Sequence, residues 1–188
     1  IEYKINPGDG AFYGPKIAFH LEDATGRTWQ CGTIQLDFQM PERFDLTYVD
    51  KDNEKKRPVM VHRTILGSME RFMGILIEHF AGKFPAWLAT VQATVLPISE
   101  KFNDYAHEIR RTMEDKGFRV ETDDRAEKIG FKIREAQMMK IPYMLVVGEK
   151  EIEEGLVSVR KRDEGDLGQM SMEALMDKLS EEVSKKII

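Results

Sequence analysis

A single cysteine, Cys31, stands in a chain of 188 residues. That excludes a disulfide framework and any zinc site built from several cysteines of this chain. No apolar run approaches the roughly 20 residues that cross a bilayer as a helix, and no signal-peptide pattern opens the text. An excess of basic charge is lacking too: 28 Lys and Arg stand against 33 Asp and Glu, a net charge of −5. A general basic coat for nucleic acid is thereby excluded, so any RNA contact has to come from a local cluster. Internal repeats and low-complexity tracts are missing as well. What is there, 41% hydrophobic and 32% charged residues, describes a soluble, cytosolic globular protein with one domain or two small ones. The text opens on Ile1 as if in mid-element, and the simpler expectation is a piece of a longer protein.

The first stretch reads as β. In Lys16–Glu22 the residues Ile17, Phe19 and Leu21 alternate with Lys16, Ala18, His20 and Glu22, the period of a half-buried strand. Asp23–Gly26 supplies turn chemistry, and Arg27–Gln39 forms a second strand of an antiparallel hairpin. A short strand over Pro58–His62 precedes a helix from about Leu66 to His79. On it Met69, Phe72, Met73, Leu76 and Phe80 recur at helical spacing. Gly82, Pro85 and Trp87 then interrupt all periodicity, which places a boundary near Gly82–Thr90.

Beyond it strands and helices alternate. Strands are predicted over Val91–Ile98, Phe118–Thr122, Tyr143–Val147 and Leu156–Lys161. Helices are predicted from a Ser99 cap to Lys116, over Glu127–Met139, and from a Ser171 cap to Lys185. This order implies a mostly parallel sheet with helices on both faces. Residues 1–91 hold 11 basic and 12 acidic residues and the remainder 17 and 21, so neither part is basic. The local clusters Arg125-Lys128-Lys132-Arg134 and Arg160-Lys161-Arg162 could contact RNA, but on charge alone a solvated helix face or loop is the favoured reading.

Three places could carry chemistry. Gln30 and Gln35 have opposite parity in the second strand; a bulge at Gly32 would bring Gln30, Thr33 and Gln35 to one cleft, and otherwise one of them is simply exposed. Tyr13 and Lys16 flank Gly14-Pro15 at a strand entrance, which suits a small polar ligand or ordinary turn chemistry. In His62–Phe72 a histidine ends a strand, Gly67-Ser68 follows, and Arg71 sits in the first turn of a helix. Glycine lets a ligand approach the backbone, the helix start favours an anion, and arginine offers a planar fork for phosphate. A lone histidine is also commonly a satisfied structural residue, and Arg71 can cap a sheet edge.

Gly67-Ser68-Met69-Glu70-Arg71-Phe72, preceded by His62-Arg63, resembles motif 3 of class II aminoacyl-tRNA synthetases in the form found in threonyl-tRNA synthetases. Phe12–Ile17, Trp29–Phe38, Phe84–Ala89 and Glu127–Glu135 are similar to the same family in the same order. The resemblance implies a fold that is α+β and then α/β: a remnant of the class II antiparallel sheet with the motif 3 helix (1–91), followed by a three-layer anticodon-binding domain with a mixed, mostly parallel sheet (92–188). It implies ATP-dependent activation of threonine, with Mg2+, and its transfer to tRNA(Thr) by a homodimeric parent enzyme. Arg71 then matches the phosphate-binding arginine, and Gln30, Thr33, Gly67 and Ser68 match positions beside the adenylate. Tyr13 and Gln35 match positions around threonine, and Lys16 a lysine of the cleft. His62 matches one ligand of a Zn2+ ion that chelates the amino group and hydroxyl of threonine, which discriminates against valine. The other two ligands lie upstream in the family, and neither Cys31 nor His20 matches them. Motifs 1 and 2 are also missing, so the chain alone is expected to be inactive. Lys128, Arg134, Glu151 and Arg160 match anticodon contacts, while Ala126 stands where some relatives carry a polar residue. The competing reading is a stand-alone tRNA-binding or regulatory protein derived from a synthetase.

Overall fold

The computed structural model describes residues 2–188; Ile1, on which the text opens, lies outside the described residues. Two compact units divide between His79 and Phe80.

In the first unit, strands β1 (Lys16–Glu22), β2 (Thr28–Asp37) and β5 (Met60–Thr64) form an antiparallel sheet in the order β1-β2-β5. The expected hairpin is present. Its turn is fixed by Asp23, whose carboxylate accepts from Thr25 N, Arg27 N and the Trp29 indole. β2 stops at Asp37, earlier than expected. There the Asp37 side chain accepts from the amides of Gln39 and Met40, both at 2.9 Å, and starts the short helix α1 (Gln39–Arg43). A two-residue ladder, β3 (Tyr48–Val49) with β4 (Lys55–Lys56), follows before β5. The motif 3 helix, α2, runs over Met69–His79 and begins after Gly67, whose φ is +73°.

The apolar faces of this unit are largely uncovered. Ile17, Phe19 and Leu21 are exposed, as are Met69 and Met73, and no residue of α2 is buried. The alternation and the helical stripe are where the sequence places them, but among the described residues of this unit no second layer covers them.

The second unit is built on a five-stranded sheet, ordered β10-β9-β8-β6-β7. β6 (Ala93–Pro97) pairs in parallel with β7 (Val120–Thr122) and with β8 (Tyr143–Val147). β9 (Leu156–Lys161) and β10 (Gly165–Ser171) extend it antiparallel at one edge. β6 is buried on both faces, as an interior strand of a three-layer unit must be. On one face α3 (Asn103–Asp115) and α6 (Met172–Ser184) press Ala106, Ile109, Met113, Leu175 and Leu179 onto Val95, Leu145, Val157 and Val159. On the other, α4 (Ile129–Met138) lays Ala136 on Leu96 and Met144.

Ser171 caps α6, accepting from Ala174 N at 3.2 Å. Ser99 does not cap: its side chain makes no capping bond, and a 3-10 turn, Glu100–Phe102, leads into α3 instead. A short helix, α5 (Glu149–Glu154), and strand β10 were not anticipated.

Candidate functional site

In the first unit the site begins with a bulge. Phe19 pairs with Gly32 but His20 pairs with Gln30, so Cys31 is the extra residue of β2. The phase shift puts Gln30, Thr33 and Gln35 on one face, opposite His20, Ala18 and Lys16. His62 pairs with Gln35 and joins the same face. Two glycines permit this packing. A Cβ on Gly32 would lie 3.1 Å from the Phe19 ring, and one on Gly67 3.0 Å from the Cys31 carbonyl oxygen. The loop before α2 therefore rests directly on the bulge.

On this face Tyr13 donates its hydroxyl to Gln35 Oε1 at 2.8 Å, and the Tyr13 and His62 rings meet edge to face at 5.7 Å. His62 Nε2 lies 2.8 Å from Oδ2 of the buried Asp37. Burial opposes charge on Asp37, but the His62 bond and the Met40 and Gln39 amides outweigh it and hold its carboxyl below the usual carboxylate value. An ionised Asp37 accepts from Nε2–H, which orients the ring and leaves Nδ1 for another partner. Tyr13, Gln35, Asp37 and His62 line a cavity of about 370 Å³ together with Phe12, Met40 and Arg43. Asp37 was not singled out from the sequence, although it shares parity with Gln35 two residues earlier.

Arg71 bends back toward the bulge. Its Nη1 donates to the Gln30 carbonyl at 2.9 Å and its guanidinium lies 5.7 Å from the Trp29 ring. Ser68 Oγ accepts from Arg71 N at 3.2 Å and so begins α2. Lys16 is paired with Asp9 at 3.6 Å. Among the described residues no three of His, Cys, Asp and Glu gather as a metal site. His62 offers one donor and its neighbour Asp37 is occupied, so these residues do not by themselves fit a three-ligand zinc ion.

In the second unit the register places Ser158 and Arg160 of β9, with Gln169 and Asp166 of β10, on the face that α4 partly covers. Glu151 is buried beside them. Its Oε2 accepts from Gly148 N at 2.9 Å, and its Oε1 from Ser158 Oγ at 2.8 Å and Gln169 Nε2 at 2.9 Å. Three donors already occupy a carboxylate with about four lone-pair sites. Arg160 donates Nη1 to Asp166 at 3.1 Å, while its Nε is buried with no partner. Lys128 precedes the first turn of α4 and Arg134 lies on its outward side, both exposed. Lys132, by contrast, is buried and donates to the carbonyls of Pro97 and Asp123, so it is a brace rather than surface charge. Ser158 and Gln169 were missed because a serine and a glutamine on short strands carry no spacing signal.

Two family models match in tandem. Residues 2–80 match the tRNA synthetase class II core domain (G, H, P, S and T), and residues 92–182 match the anticodon-binding domain. The fold and these matches define a portion of a class II aminoacyl-tRNA synthetase. The chain is 63% identical over 188 residues to the threonine–tRNA ligase of Clostridium tetani, and 63% identical over 186 residues to that of Finegoldia magna. All or nearly all of this chain is covered, but it spans 29% of the length of each relative. The crystal structure of the RNA binding domain of threonyl-tRNA synthetase from Cryptosporidium parvum superposes with a TM-score of 0.89 at 47% identity, covering 96% of this chain and 46% of that one. The chain belongs to the threonine–tRNA ligase family, and corresponds to a C-terminal part of its members.

Proposed function

We propose that the chain supplies the anticodon-reading portion and one wall of the aminoacylation cleft of a threonine–tRNA ligase. Residues 1–91 are the end of the catalytic domain and 92–188 the anticodon-binding domain. The whole protein, a cytoplasmic homodimer, activates threonine with ATP and Mg2+ and transfers it to tRNA(Thr). Arg71 neutralises phosphate charge and Lys16 serves as the catalytic lysine of the cleft, where positioning and electrostatics supply most of the catalysis. Gln30, Thr33, Gly67 and Ser68 border the adenylate, and Tyr13 and Gln35 hold threonine. His62 is one of three Zn2+ ligands, oriented through Asp37, and the other two belong to residues outside this chain. Without motifs 1 and 2 the chain alone does not aminoacylate.

In the second unit Lys128, Arg134, Glu151 and Arg160 contact the anticodon. The observation that carries this reading is the polar cluster of Ser158, Arg160 and Gln169 beside the buried Glu151, with an unpartnered Arg160 Nε. Sequence-specific RNA readout addresses unpaired bases by hydrogen bonds and stacking. The test is a titration of the chain and its Arg160→Ala variant with cognate and anticodon-swapped stem-loops at two salt concentrations. A base-reading Arg160 costs about 1–3 kcal/mol on removal and relaxes discrimination. A uniform loss with a flatter salt dependence would make it a phosphate contact. Equal binding of all stem-loops by the unmutated chain would remove the reading.

A further inference from the structure

The outward side of α4 combines an exposed aromatic ring with free cations. The helix buries Lys132 and Ala136, and Ile129 and Ile133 pack partly beneath it. Helical geometry then turns Phe131, Arg134 and Met138 away from the sheet. Phe131 is 45% exposed and Met138 70%. Arg134, and Lys128 one turn before Phe131, have no side-chain hydrogen bond or ion pair among the described residues. The acids near them do not neutralise this stripe. Glu135 is engaged by Arg125, Asp124 faces His107, and Glu127 lies before the helix. Lys128 and Arg134 each stand three residues from Phe131, about 4.5 Å along the axis. An exposed aromatic face between two unpaired cations is chemically matched to one base and its flanking phosphates.

We propose that this outward stripe of α4 is a stacking platform: Phe131 takes the face of one unpaired base of the RNA loop, and Lys128 and Arg134 meet the phosphates on either side. The inference rests on the anticodon reading and adds to it a contact that any base can make, separate from the Arg160 cluster that discriminates among bases.

The experiment uses the full chain and the anticodon stem-loop of threonine tRNA, with 2-aminopurine placed in turn at each loop position. Phe131→Ala should weaken binding about 5–150-fold. It should also abolish the fluorescence quenching at one loop position and leave the ratio between cognate and swapped loops unchanged. Phe131→Tyr, which keeps the ring, should retain affinity, and Phe131→Leu, which keeps only apolar area, should lose it as alanine does. Unchanged binding by Phe131→Ala, or full affinity with leucine, would overturn the platform while leaving the anticodon reading intact. Failure of the unmutated chain to bind any stem-loop would overturn both.

Discussion

Replacing Glu151 by glutamine probes the polar junction on which the second unit's candidate surface is built. The carboxylate accepts three hydrogen bonds, at 2.8 to 2.9 Å, from Gly148 N, Ser158 Oγ and Gln169 Nε2. Glutamine keeps the shape, but one of its two oxygens becomes an NH2 group that can only donate. Turned toward Gly148, that NH2 removes the backbone bond outright, because a peptide N–H cannot reverse. Turned the other way, it forces Ser158 and Gln169 both to present acceptors. In either case bonds to an ionised acceptor become neutral ones of about half the strength.

The expected cost is about 1–3 kcal/mol. For a unit of this size the melting transition should fall by about 4 °C per kcal/mol. The pH dependence adds a sign. Burial raises the Glu151 pKa, but the bonds from Gln169, Ser158 and the backbone outweigh it and hold the carboxyl below the ordinary value of 4.5. A carboxyl depressed on folding contributes stability that is complete above its unfolded value and lost as pH falls through its folded value. The gap between the native chain and Glu151→Gln should therefore be full at neutral pH and close below about 4.5. Thermal melts followed by circular dichroism across that range provide the assay. Coincident melts at neutral pH, or a gap that widens on acidification, would refute the reasoning.

Two further outcomes are expected in the first unit. Gly67→Ala meets a φ of +73° and a Cys31 carbonyl oxygen 3.0 Å from the new Cβ. A left-handed backbone costs an L residue about 1–2 kcal/mol, so the amides from Gln30 to Thr33 should exchange faster with deuterium; unchanged exchange would mean the loop does not rest on the bulge. Equilibrium dialysis of the chain against zinc should show no stoichiometric ion held through His62, because one donor does not make a three-ligand site. Retention of one zinc per chain that His62→Ala abolishes would show that other residues complete the site.

Much of the fold is legible in the residues because local pattern and tertiary role agree. The β6 and β8 runs are apolar but for Thr94, and both are interior strands. The bulge could be anticipated because Gln30 and Gln35 conflict in parity and Gly32 lies between them. β10 was hidden by Gly165 and Gly168 and by its own register shift between Asp166 and Gly168, which breaks any two-residue period. α5 was hidden because five of its six residues are charged. The alternation of Ile17, Phe19 and Leu21 shows which side is apolar, but amphipathic spacing cannot say whether the same chain provides the cover. The donors to Glu151 come from positions 148, 158 and 169, and only the completed sheet brings them together.

The strap from Phe80 to Val91 sets where the second unit can be cut. Arg119 donates to the carbonyls of Ala89, Ala86 and Trp87, Arg162 to those of Lys83 and Phe84, and Gln92 Nε2 to Ala86. Ala86 and Ala89 are themselves buried. Cutting at Gln92, where the family match begins, would strip acceptors from two guanidinium groups and open part of the alanine-lined floor to water. Guanidinium groups hold their charge at any accessible pH, so they cannot escape that loss by neutralising. Sequence similarity marks the start of the shared domain at 92, but the hydrogen-bond ledger of this molecule closes only from about residue 80.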